Sequence, residues 1–258
     1  MEYEPLKRKL NNLIRLFPQL RPLLYKGLDL FILRQWYVKR EIKKYAAKFN
    51  PVKFYDAGAG FGQYTEYLLK VAPQANVLAV DIDKKGIEIL GEYAQDRWKD
   101  RVQTVAADLQ TYTPQEKYNL FIAIDILEHI ERDVDVLKNL RSAAEESGIL
   151  VISTPSRTKE AEFTAEHFRD GYTKKELEEK LTKSNWRMVK SYYSYGVWGN
   201  IAWRLSMRNT LMMIKNKLWF LLPVYLLVIT PICLVLMGLD FIWINRRGNG
   251  LIVVAEAS

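Results

Sequence analysis

From residue 53 onward, short apolar runs alternate with stretches in which apolar residues recur every three or four positions. Residues 54–57, 76–80, 102–106, 120–124 and 149–153 are predicted strands, and 65–71, 86–93 and 134–144 are predicted helices between them. Five such steps imply a parallel sheet with helices on both faces. Two further strands are predicted at 186–195 and 251–255. Their connection, about fifty residues, is long for neighbouring strands. Both should join the one sheet, so the chain must leave and return on the same side.

Two other stretches follow different patterns. Between residues 5 and 48, Leu6, Leu10, Leu13, Ile14 and Phe17, then Leu23, Leu24, Leu28, Phe31, Ile32 and Trp36, fall at helical spacing. Pro18 and Pro22 divide them into a short and a long amphipathic helix, able to pack on the core or to lie on a membrane. Inside the long connection, residues 218–244 form the most apolar run of the chain, interrupted by Pro223, Pro231 and Asp240. The run is long enough to cross a bilayer. Because the connection must return to its own side, bent or re-entrant helices dipping into one leaflet are expected. Lys215, Lys217, Arg246 and Arg247 would sit at the headgroups. A buried or oligomer-forming helix is the alternative. The domain plan is therefore N-terminal amphipathic helices (1–50), a core (51–195 with 248–258) and a hydrophobic insert (196–247).

Charge sharpens that division. The net +8 of the 258 residues is uneven: +8 over residues 1–50, −4 over 51–194 and +5 over 195–250. A mildly acidic core thus carries two basic appendages, suited to anionic lipid or to nucleic acid. The basic residues are interleaved with long apolar ones rather than with an RNA-binding module, which favours lipid. A single cysteine, Cys233, excludes an internal disulfide framework. Lys7, Arg8 and Lys9 precede no uninterrupted apolar stretch, so no secretory signal is expected.

The candidate chemistry lies at strand ends. Asp56-Ala57-Gly58-Ala59-Gly60-Phe61-Gly62 follows the first strand and precedes a helix, a turn in which backbone can approach a ligand closely. Alone, it would suit a dinucleotide equally well. Val80-Asp81-Ile82-Asp83 ends the second strand with a carboxylate able to hold two ribose hydroxyls. Ala107-Asp108-Leu109 ends the third and could receive an adenine amino group. Three such ends in a row line one crevice at the carboxyl edge of a sheet.

These segments resemble class I S-adenosylmethionine (SAM)-dependent methyltransferases in order and spacing, together with Ile124-Asp125-Ile126-Leu127-Glu128-His129-Ile130 and the run from Gly148 to Pro155. The similarity covers about residues 51–195. It implies a Rossmann-like seven-stranded α/β fold and SAM as cofactor. Asp56, Gly58, Gly60 and Gly62 would shape the methionine pocket, Asp81 with Ile82 the ribose site, and Asp108 with Leu109 the adenine site. Asp125 would lie where cofactor and acceptor meet. Ser147-Gly148 stands where relatives often have two glycines.

Asp125, Glu128 and His129 follow the fourth strand, where this family holds substrate-facing residues. Asp-x-x-Glu-His resembles the Glu-x-x-Glu-His element of metal-dependent RNA 2′-O-methyltransferases and of ubiquinone-pathway O-methyltransferases. With His167 these residues could hold a divalent metal ion, although metal is not the favoured reading. His129 or His167 as general base for an acceptor hydroxyl is preferred, because imidazole titrates near neutrality. Tyr192, Tyr193, Tyr195 and Trp198 form an aromatic wall over the acceptor, a membrane-interface belt or core packing. The leading expectation is an enzyme that O-methylates a lipid-soluble or lipid-anchored small molecule, monotopic or peripheral at the cytoplasmic face of a membrane. An RNA methyltransferase and a catalytically silent scaffold of the same fold are the alternatives.

Overall fold

Seven strands form one sheet in the order β3-β2-β1-β4-β5-β7-β6. The computed structural model describes residues 20–157 and 168–258. The strands are β1 (Lys53–Ala57), β2 (Asn76–Asp81), β3 (Val102–Ala106), β4 (Tyr118–Ile124), β5 (Ala144–Pro155), β6 (Trp186–Ser194) and β7 (Gly250–Ala257). β1 to β5 pair in parallel. β7 runs antiparallel to both β5 and β6. β6 therefore points the same way as the first five strands and ends, at Ser194, on their carboxyl edge.

Alternation along the strands builds two apolar layers. Phe54, Val77, Leu120, Ile122 and Val151 face one side, and Tyr55, Leu78, Phe121, Leu150 and Trp186 face the other. Both faces are covered, which is why these strands read as nearly continuous apolar runs. The second layer packs against α5 (Asp133–Ser142) and α6 (Lys174–Lys183), and α6 opens on the capping box of Thr173 and Glu176. The first layer receives α3 (Gln63–Val71) and, less obviously, the N-terminal helix α2 (Leu33–Ala46), whose Tyr37, Val38, Ile42 and Tyr45 are buried in it. α4 (Lys84–Trp98) covers β2 and β3, with Asp83 as its N-cap.

Two expectations about the appendages are corrected. The amphipathic stretch from Leu23 to Trp36 is not one helix. α1 (Arg21–Phe31) ends at Ile32, which is extended (φ −110°, ψ 102°), before α2 begins. The break redirects the chain so that Leu33 and Tyr37 enter the core while α1 crosses elsewhere. The shorter helix expected before Pro18 lies outside the described residues.

The apolar run is also not divided into separate helices at Pro231. After β6 come α7 (Val197–Trp203), a wide turn of helix at Arg204–Arg208 and α8 (Asn209–Lys215), then the continuous α9 (Leu222–Ile242). Pro223 sits in the first turn of α9, where its missing N–H costs nothing. Pro231 lies inside and removes one backbone hydrogen bond without ending the helix. At about 1.5 Å per residue α9 is some 30 Å long. Cys233, Met237 and Asp240, spaced by four and three, form its buried stripe.

The base of this insert is fixed by a polar node. Asp240, fully buried on an apolar helix, accepts the Gly199 N–H at 2.9 Å and the Tyr37 hydroxyl at 2.9 Å. A side chain at 199 would crowd this node, since a Cβ there would meet Leu33 Cδ2 at 2.7 Å and the Asp240 carboxyl carbon at 2.9 Å. α2, α7 and α9 thus meet at one point, on the edge of the sheet where β6 ends.

Candidate active site

The glycine turn folds as a ligand cradle. Gly58, Gly60 and Gly62 take φ of +77°, +52° and +77°, a region open to glycine and strained for side chains. At Gly62 the restriction is also steric, because a Cβ would lie 2.3 Å from Leu90 Cδ1. The turn is tied to β2, whose Val80 carbonyl accepts the N–H groups of Gly58 and Ala59 at 2.8 and 3.0 Å. Asp81 accepts the Gly60 N–H at 2.8 Å on one oxygen and the Asp83 N–H at 2.9 Å on the other. Each oxygen keeps lone-pair capacity for a further donor, as a ribose diol requires.

Asp56 lies beneath, 1% exposed, accepting the Thr65 hydroxyl at 2.8 Å. Burial pushes its carboxyl up to about 7, against the Thr65 bonds and helped by the nearby Asp81 charge. Asp56 therefore braces the turn from below. At the end of β3 the Ala107 N–H reaches the Asp81 carbonyl at 3.0 Å, which ties the end of β3 to the end of β2. Asp108 accepts the Gln110 N–H at 2.9 Å. Ile82 projects into solvent, 73% exposed, where it can lie against a planar base. Leu109 has its side chain buried in the same layer as Tyr55 and Val136, and its carbonyl accepts the Asn139 side-chain amide at 3.0 Å.

Past β4 the backbone is strained. Asp125 has φ +50°, unusual for a residue with a side chain, and such strain concentrates at functional sites. Its N–H donates to the Ser153 carbonyl at 2.8 Å and its carboxylate accepts the Ser153 hydroxyl at 3.0 Å. The other carboxylate oxygen pairs with Arg34, from the first turn of α2. The Arg34 N–H also donates to the Tyr195 hydroxyl at 3.3 Å, at the end of β6. Burial pushes the Tyr64 hydroxyl up to about 12, with the Arg34 guanidinium pulling against it.

Glu128 and His129, adjacent on the short turn Leu127–His129, face opposite ways. His129 is exposed. Glu128 is fully buried and accepts the Thr154 hydroxyl at 3.2 Å. Burial pushes the Glu128 carboxyl up to about 7, opposed by its own backbone N–H and by Arg34. Its carbonyl receives the N–H groups of Phe168 and Arg169, which fixes the chain just after 158–167. His167 lies outside the described residues. Among those described, Asp125, Glu128 and His129 do not gather into a set of three potential metal ligands.

Arg34 was not foreseen, because the N-terminal helices read as an appendage. The available signal was a lone arginine amid Phe31, Ile32, Leu33 and Trp36. The expected aromatic wall is also redistributed, for successive strand residues face opposite sides. Tyr192 packs on Tyr37 in the first layer, Tyr193 borders the second, Tyr195 reaches Arg34, and Trp198 stands on α7, partly exposed.

The residues present fit a nucleoside with a charged methionine-like tail. Around the glycine turn and the end of β4, Gln63 Oε1 and Glu128 Oε1 are buried without a hydrogen-bond partner among the described residues. Such atoms need one. The positively ended first turn of α3 and the Arg34 guanidinium suit a carboxylate, and Asp81 suits the diol.

Comparison with known proteins agrees with this geometry. The family described as Methyltransferase domain matches residues 49–211. A ubiquinone biosynthesis O-methyltransferase of Rickettsia typhi is 31% identical over 131 residues, covering 48% of this chain and 50% of that protein. A malonyl-[acyl-carrier protein] O-methyltransferase of Halalkalibacterium halodurans is 28% identical over 116 residues, 43% of this chain and 42% of that one. The chain spans about half the length of the curated relatives it matches. Among solved structures, the 1,6-didemethyltoxoflavin-N1-methyltransferase of Burkholderia thailandensis superposes with a TM-score of 0.54 at 18% identity, over 92% of this chain and 88% of that one. A SAM-dependent methyltransferase from Aquifex aeolicus gives 0.51 at 18% identity, over 64% and 85%. At such identity these likenesses establish the fold.

Proposed function

We propose, for a chain that belongs to the class I SAM-dependent methyltransferase family, that it O-methylates a lipid-soluble or lipid-anchored small molecule at a membrane surface. The observation that carries this reading is the position of the apolar insert. It leaves the sheet after Ser194 and returns at Gly250, on the carboxyl edge that also carries the glycine turn, Asp81 and Asp125. Val197, Trp198 and Ile201, on the first turns of the insert, are 71%, 37% and 39% exposed just beyond Tyr195. An acceptor with an apolar tail could keep that tail on α7 while its polar head reaches the strand ends. Two of the similar curated proteins are O-methyltransferases by name, which supports oxygen as the atom methylated.

SAM bound here would supply an electrophilic methyl group on a sulfonium. The chain's own residues must hold the two reactants in line and remove the acceptor proton. Asp81 would hold the ribose diol, Ile82 would face the base, and Arg34 would take the methionine carboxylate, with Asp125 and Tyr195 fixing the position of Arg34. His129, exposed on the turn after β4, would accept the proton of the acceptor hydroxyl. Glu128, pointing inward, positions that turn through Thr154 and the backbone of Phe168 and Arg169. The test is to incubate detergent-purified protein and labelled SAM with a total lipid extract. Label recovered in an apolar methyl ether or ester is the expected result. Label confined to water-soluble or N-methylated products overturns the reading.

A further inference from the structure

The two rows of α1 face different surroundings. On its inner row, Tyr25, 3% exposed, donates its hydroxyl to the carbonyl of Phe61, in the middle of the glycine turn. Arg21, 2% exposed, lies over the ring of Tyr93 on α4, 4.6 Å from its centroid. Tyr93 donates in turn to Glu66 on α3 at 2.8 Å. α1 therefore grips the glycine turn directly and α4 through Arg21, and is linked to α3 by way of Tyr93 and Glu66.

Its outer row is apolar and uncovered. Leu20, Leu23, Leu30 and Phe31 are 41%, 67%, 45% and 55% exposed. At 100° per residue they fall, with Gly27, within one face about 100° wide, and exposed Lys26 lies at its border. The elbow after α1 packs on the insert, since Leu33 abuts Gly199 on α7. The charge favours one occupant. Residues 1–50 carry a net +8 and residues 195–250 a net +5, so a second copy brought face to face would meet like charge, whereas an anionic bilayer would not.

We propose that α1 is a bilayer-lying strap, whose outer row rests on anionic lipid while its inner row holds the glycine turn in its cofactor-binding form. This rests on the membrane-surface reading above and adds to it a regulation of the same site: lipid and cofactor bind with positive coupling. Coupling of this kind is reciprocal, so each ligand must tighten the other by the same factor.

The experiment uses the full chain, S-adenosylhomocysteine as cofactor probe, and vesicles of phosphatidylglycerol with phosphatidylcholine. The vesicles should tighten S-adenosylhomocysteine binding by about fivefold or more. The nucleoside should lower the lipid concentration for half-maximal flotation by the same factor. Leu23→Asp, at an exposed position, should weaken flotation and abolish the coupling while leaving lipid-free affinity unchanged. Tyr25→Phe should keep flotation and bring the coupling factor close to one. Failure of the wild-type chain to float overturns the membrane-surface reading and the strap together. Flotation that ignores Leu23→Asp, with affinity equal in the presence and absence of vesicles, overturns the strap and leaves the insert as anchor. A change from dimer to monomer on Leu23→Asp without lipid also overturns the proposal, by assigning the face to self-association.

Discussion

Asp81 and the pair Glu128–His129 have different tasks in the proposed reaction, and substitution separates them. Asp81 accepts one backbone N–H on each oxygen, from Gly60 and Asp83, and has two directions left for further donors. Asp81→Ala should weaken S-adenosylhomocysteine binding by about tenfold or more, because a bidentate charge-assisted contact is lost. Calorimetry on the folded variant measures it, and unchanged affinity would remove Asp81 from the site. His129→Asn should lower kcat by about 10²–10⁴ with cofactor affinity intact. Glu128→Gln should lower kcat less, because an amide oxygen can still accept from Thr154. The reverse order would make Glu128 the base. Glu128 and Asp56 also imply a dependence of stability on pH. Both carboxyls are raised to about 7 by burial, so the folded chain holds their protons more tightly than the unfolded chain does. Stability from these groups is therefore full below about pH 4 and falls as pH rises toward 7. Glu128→Gln removes its share of that loss, and thermal unfolding should show the variant gaining on the wild type at pH 8 relative to pH 4.

Legibility in the sequence differed between elements for physical reasons. The strands were legible because a sheet covered on both faces selects unbroken apolar runs, and the site because glycine at positive φ and carboxylates at strand ends have few substitutes. Only the strand ends moved, by one or two residues in most cases and by five at the start of β5. That extension crosses Ser147, at φ +60°, which explains why glycine is usual at that turn. The helices outside the sheet were less legible. A proline pattern marks lost hydrogen bonds but not whether the helix survives them, and α9 survives Pro231. Periodicity likewise could not show that Ile32 would break the N-terminal helix and bring Arg34 to Asp125. Nor did the sequence assign Asp240 a structural task, reading it only as an interruption. Asp240→Ala would leave the buried Gly199 N–H unpaired, while Tyr37 keeps the Asp240 carbonyl at 2.6 Å. The expected loss is about 1–3 kcal/mol in denaturant unfolding. Asp240→Asn, which retains an acceptor, should lose less. Equal losses would mean that the carboxylate charge rather than the hydrogen bond holds the node.

At the scale of the molecule, the apolar surface decides how the insert can be tested. The run Trp219–Ile242, long and apolar enough to cross a membrane, buries little beyond Cys233, Met237 and Asp240 within the protein. Val224, Leu227, Val235 and Ile242 are 66%, 78%, 64% and 76% exposed, and exposed faces of this kind mark an interaction site. Yet the insert cannot simply be deleted. Ala202, Cys233 and Met237 belong to the same buried layer as Tyr37 and Ile252, so removal would open the core beside Arg34. Substitution at the outer face avoids that. Val224→Glu with Leu227→Glu adds two negative charges where side chains touch little of the protein. Burying a carboxylate in hydrocarbon is costly, and repulsion from anionic headgroups adds to that cost. The double variant should stay folded, bind S-adenosylhomocysteine in solution with wild-type affinity and fail to float with phosphatidylglycerol vesicles. Raising salt on the wild type should weaken flotation only partly, since screening removes the Lys/Arg contribution but not the apolar one. If the double variant floats like the wild type, the insert does not enter lipid. If it changes the oligomeric state in lipid-free buffer instead, α9 is a contact between copies of the chain.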